Sequence, residues 1–175
     1  MFQNDFMEII HESLMPEYAA FGRLINPPWM CADISVNLEM SAFPKDSTSP
    51  QLYRSLFRQT MPSRFHGYKI IFTDGSKNKG AIGAAHTSVL GEECSRLHPW
   101  TSVFTAELYA IHRALSQVLS TTLEGPIVII SYSMSSIKGI QSGLNPHPLI
   151  GQIRDIHASL QGRGLTDLRQ QAMGG

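Results

Sequence analysis

The sequence is short of charge, of cysteine and of long apolar runs, and each shortage removes a class of protein. Charged residues make up 16% of the 175 and hydrophobic residues 42%, a balance that suits a globular domain and not a disordered chain. Lys+Arg and Asp+Glu number 14 each, so the formal net charge is zero. A neutral chain is a poor stand-alone nucleic-acid binder, because such binding draws most of its strength from neutralising phosphates. The two cysteines, Cys31 and Cys94, form neither a disulfide framework nor a metal-ligand spacing, and they read as free, reduced thiols inside a cell. No apolar stretch is long enough to span a bilayer, and the first residues lack the basic segment of a secretory signal. The expectation is a soluble protein of the cytoplasm or nucleus with no membrane partner.

Other absences narrow the chemistry. His86, His98, His112, His147 and His157 are scattered without zinc-ligand spacing and read as surface or satisfied histidines. The Gly80–Gly83 pair is not followed by Lys-Ser/Thr and no helix opens there, which excludes a phosphate-cradling loop. Ser76 and Ser133 lack a Gly-x-Ser-x-Gly elbow, so a hydrolase triad is discounted.

What is present centres on the stretch from Tyr68 to Ser76. Ile70-Ile71-Phe72 reads as a buried strand, and Thr73-Asp74-Gly75-Ser76 reads as its end, leaving Asp74 where a core strand surfaces. Gly80 to Ala85 is small and apolar and predicts a second strand. Ser88 to Ser95 predicts a third, reached by a tight turn near Gly91. Phe104 to Leu119 is the clearest helix: Leu108, Ile111, Leu115 and Leu119 share one face, Thr105 is a candidate N-cap, and Glu107 falls in the first turn. Ile127 to Ile130 predicts a second buried strand, followed by a short helix over Ser133–Ser142. Leu149, Ile150, Ile153, Ile156 and Leu160 predict another helix, ending at Gly162–Gly164.

The flanks carry less. Phe6, Ile9, Ile10 and Leu14 suit a short amphipathic helix ended by Pro16. Ala32 to Leu38 alternates like an extended segment, Pro44 to Pro50 reads as a linker, and Leu52 to Phe57 suits a short helix. The resulting division is a helix and extended linker over 1–64, a domain over 65–164, and a polar, frayed tail over 165–175.

Phe72-Thr73-Asp74-Gly75-Ser76, then Thr105-Ala106-Glu107-Leu108-Tyr109-Ala110-Ile111, then strand-Ser131-Tyr132-Ser133, closely resembles a ribonuclease H type 1 domain. The nearest flavour is the domain of insect-type non-LTR retrotransposon polyproteins, and the resemblance spans about Pro27 to Gly164. It implies an α/β fold with a mixed sheet, strands one to three antiparallel, strand four parallel to strand one, and helices on the faces. It also implies hydrolysis of the RNA strand of RNA–DNA hybrids with Mg²⁺ or Mn²⁺ held by acidic residues.

The departures imply an impaired site. Asp74 and Glu107 match the family's first two acids. Tyr132 stands at the third, where a phenol with a pKa of about 10 supplies no charge at neutral pH. The family's last strand and helix, with the fourth acid, have no match. Two unit charges about 4 Å apart interact by about 4 kcal/mol at an effective dielectric of 20, and two divalent ions repel about fourfold more strongly. Two carboxylates do not offset that, so the expectation is weak binding of one ion and of nucleic acid. The alternatives are a non-catalytic interaction module or a non-functional truncated retroelement product. Without a fifth strand, Ile127–Ile130 would bare an edge and invite self-association, or draw Ile34–Leu38 alongside.

Overall fold

The computed structural model describes residues 34–38, 43, 48–144 and 146–162, together with the backbone of 168–172. The expected helix before Pro16 lies outside the described residues. Strands and helices follow in the order β1 (Ser35–Asn37), α1 (Pro50–Arg64), β2 (Lys69–Asn78), β3 (Ala81–Ser88), β4 (Gly91–Leu97), α2 (Val103–Leu119), β5 (Ile127–Ser131), α3 (Met134–Ser142), α4 (Pro148–Gly162) and β6 (Leu168–Ala172). They make an α/β fold around one mixed sheet, ordered β1-β6-β5-β2-β3-β4.

The sheet follows from two turns and two crossovers. Lys79 and Gly80 both take positive φ, 45° and 82°, which is the backbone of a two-residue hairpin turn between β2 and β3. A second two-residue turn, Val89-Leu90, joins β3 to β4. These three strands are antiparallel. After α2, β5 returns parallel to β2, with Ile71 beside Ile129 and Thr73 beside Ser131.

Alternation along the strands sorts two apolar layers. Ile71, Ile127 and Ile129 face α2 and α4, where Leu108, Ile111, Leu115, Ile150 and Ile153 are buried against them. Val128, Ile130 and Ile70 face the other way and are covered by Met61, Phe65 and Phe57. Ser49 caps α1 by accepting a hydrogen bond from the Leu52 amide at 3.2 Å. A proline, Pro62, is tolerated in the last turn of that helix.

Several expectations are corrected. The tail is not wholly frayed, and the sheet does not lack its outer strand: β6 pairs parallel with β5, setting Ile127 beside Leu168 and Ser131 beside Ala172. Ile127–Ile130 is therefore flanked on both sides and bares no edge. The Ile34–Leu38 region does form a strand, β1, yet it pairs with β6 and not with β5. No break falls at residues 64–65, because α1 supplies one of the two apolar layers and Cys31–Gly175 forms one compact unit. The first strand does not end at Asp74 either. It runs on to Asn78, because β3 pairs with it as far as Asn78 and Ala81; burial alternates only up to Gly75, and Ser76, Lys77 and Asn78 are all exposed.

Candidate functional site

The C-terminal halves of β2 and β5 bring the three predicted site residues to one end of the sheet. Asp74 and Tyr132 each follow the paired residues Thr73 and Ser131, so they stand at the same level, where β5 ends and β2 continues. Both are exposed. Glu107 reaches the same end from α2. That helix starts at Val103 and its N-cap is Ser102, whose hydroxyl accepts from the Thr105 amide at 3.0 Å. Glu107 is thus in the second turn and not the first. It is 6% exposed, and its carboxylate accepts a hydrogen bond from Ser131 Oγ at 3.5 Å.

Gly75 explains how the helix comes so close. A β-carbon on Gly75 would stand 2.4 Å from the Glu107 amide nitrogen and 2.8 Å from the Ala106 carbonyl carbon. Only glycine lets strand and helix backbones touch there. Ser131 then links the pieces, donating to Glu107 and accepting from the Ser133 amide at 3.1 Å. Ser133 caps α3 by accepting from the Ser136 amide at 3.3 Å.

The pleat decides what this cluster can hold. Asp74 lies in the row of Phe72 and Ser76, while Glu107 stands over the opposite row of Thr73 and Gly75. The two carboxylates approach the end of the sheet from opposite rows, one open and one buried. Among the described residues no group of three or more His, Cys, Asp or Glu side chains could hold a metal ion. Paired Mg²⁺ ions demand several hard oxygen ligands in octahedral shells. An exposed Asp74, a buried Glu107 already engaged by Ser131, and a Tyr132 phenol do not fit that demand.

The histidines divide differently from their scattered look. His147 joins two helix starts: its Nδ1 accepts from the Leu149 amide at 3.3 Å, so its Nε2 carries the proton and donates to Thr105 Oγ1 at 3.2 Å. Its ring also meets Phe104 edge-on at 5.7 Å. Burial pushes the His147 pKa down. His157 is buried in α4, its Nδ1 without a hydrogen-bond partner, and burial followed by the nearby Arg154 charge pushes its pKa down. His86 Nε2 is 3.0 Å from Gln117 Oε1. The sequence signal that could have found His147 is its place between Pro146 and Pro148, at a helix start. Neither Ser76 nor Ser133 has a histidine hydrogen-bond partner among the described residues.

Away from this end, Arg113 grips Glu93 with two bonds of 2.8 and 3.1 Å. That grip holds the Glu93 carboxyl below the usual range and the Arg113 pKa above its own.

No family model matches the chain, and a search of curated proteins finds no match either.

Proposed function

We propose that the chain is a ribonuclease H-type domain of retroelement ancestry that no longer cleaves RNA–DNA hybrids and retains at most weak affinity for them. The observation that carries the reading is the meeting of Gly75 with Glu107 beneath the Thr73–Ser131 pair. It joins the Thr-Asp-Gly-Ser, Ala-Glu-Leu and Ser-x-Ser motifs at one sheet end, as the resemblance requires. Further support comes from strand order: three antiparallel strands, a fourth parallel to the first, and a fifth parallel outside it.

Loss of cleavage follows from Tyr132 in place of an acid. The same fact favours a second reading, a non-enzymatic interaction module on this fold. The experiment is a hybrid-cleavage assay with Mg²⁺ and with Mn²⁺, using Asp74→Asn as blank, and fluorescence anisotropy with a labelled hybrid alongside. The expected result is no cleavage above the blank, with weak, salt-sensitive binding. Metal-dependent cleavage that Asp74→Asn abolishes would overturn the reading, and binding to no nucleic acid would favour the interaction module.

A further inference from the structure

The outer margin of the sheet at β4 is free of any partner among the described residues. Its hydrogen-bonding groups can be assigned from the hairpins. The two-residue turn Val89-Leu90 makes Ser88 and Gly91 a hydrogen-bonded pair, and pairs alternate from there. Gly91, Glu93, Ser95 and Leu97 therefore turn their amides and carbonyls towards β3. Glu92, Cys94 and Arg96 turn theirs outward. The β2–β3 hairpin, closed at Asn78 and Ala81, gives the same parity on β3.

We infer that β4 pairs with β4 of a second copy of this chain, antiparallel, about a two-fold axis through Cys94. Three observations converge on that register. Every outward amide then meets an outward carbonyl: Cys94 faces its own copy, and Glu92 faces Arg96 of the second copy. The side chains of Glu92, Cys94 and Arg96 are exposed on one face, so the opposed charges lie side by side and the arrangement repeats itself across the axis. Shifts of the axis to Glu92 or Arg96 set each residue against its own copy, and an axis through Glu93 sets two carboxylates together.

The third observation is independent of charge. Val89 and Trp100 are the most exposed large apolar side chains near β4, at 73% and 85%. They flank the strand at its two ends. The two-fold brings the Val89 turn of one copy to the Trp100 end of the other, twice. Charges on an outer strand usually discourage pairing; here their order makes them self-complementary. The contact is one short strand wide, so the dimer is weak and depends on concentration.

The test is sedimentation velocity over a concentration series, with circular dichroism to confirm folding. Wild type should pass from monomer to dimer as concentration rises. Arg96→Glu sets carboxylates opposite carboxylates and should weaken the dimer about tenfold or more. Glu92→Arg combined with Arg96→Glu restores opposite charges in the same register and should restore the dimer. In a Cys31→Ser background, a short bismaleimide should link Cys94 to Cys94 in wild type and not in Arg96→Glu. A wild type that stays monomeric at several hundred micromolar, or a charge-swapped double variant no tighter than Arg96→Glu, would overturn the inference.

Discussion

Gly75 and Glu107 meet backbone to backbone, with no room for a side chain between strand β2 and helix α2. This contact fixes where the buried carboxylate stands and how the helix lies on the sheet. Asp74, the neighbour of Gly75, belongs to the opposite, exposed row of the same strand.

Gly75→Ala should therefore be costly. The atoms in the way are backbone, which no rotamer change can move. Overpacking of this kind costs about 1–3 kcal/mol, occasionally more. Urea denaturation should show the loss, and a variant as stable as wild type would mean that α2 moves away freely.

Tyr132→Asp should give the site end a second exposed carboxylate beside Asp74. Isothermal calorimetry with Mn²⁺ should show binding stronger than wild type, while hybrid cleavage stays at the level of the Asp74→Asn blank. Unchanged Mn²⁺ affinity would mean that Tyr132 and Asp74 do not share a ligand position.

Acid should destabilise the fold below the ordinary histidine pKa of roughly 6.5. His147 and His157 both have lowered pKa values in the folded state. Between the folded and unfolded values the unfolded chain binds more protons, so stability is present in full above about 6.5 and falls as pH drops through the folded values. Protonation also removes the Nδ1 acceptor by which His147 holds the Leu149 amide. Melting temperature measured from pH 7.5 to pH 5 should decline, and His157→Leu should flatten the decline. A slope unchanged in that variant would assign the effect elsewhere.

Removal of residues 1–64 should leave an insoluble protein. Ile70, Val128 and Ile130 would lose the cover of α1 and Phe72 its ring contact with Phe57, baring an apolar face on the sheet. Soluble yield and dye binding to exposed apolar surface report on this. A truncated chain that stays soluble and melts cooperatively would show that α1 is dispensable. Phe65→Ala, which keeps α1, should cost about 3–5 kcal/mol.

The elements that could be read from sequence are those whose residues declare their own burial. Ile127–Ile130 is apolar at every position because both its faces are covered. Leu108, Ile111 and Leu115 repeat at the helical period because one side of α2 is buried. Strand β6 is Leu168-Arg169-Gln170-Gln171-Ala172. Its composition says nothing of a strand, and its reason for being one is the row of backbone groups that β5 offers. The N-cap is ambiguous in sequence because Ser102 and Thr105 are both good caps three residues apart. The two hydroxyls in fact lie 2.8 Å from each other, Ser102 capping the helix and Thr105 linking it to His147. At the site, residue identity was legible and facing was not. Asp74 has the neighbours of a strand end, Gly75 and Ser76, and it is pairing with β3 that carries β2 past it to Asn78.

The position of β6 between β1 and β5 bears on how the protein is made. Ser35 pairs with Arg169 and Asn37 with Gln171, so β1 waits for a segment that is synthesised only after β2, β3, β4 and β5. During translation β2, β3, β4 and β5 can assemble while β1 has nothing to join. Such late, long-range closure slows folding and leaves strand groups unmet in the interval. The ribosome-bound chain should thus resist proteolysis in its central region before its N-terminal strand is protected.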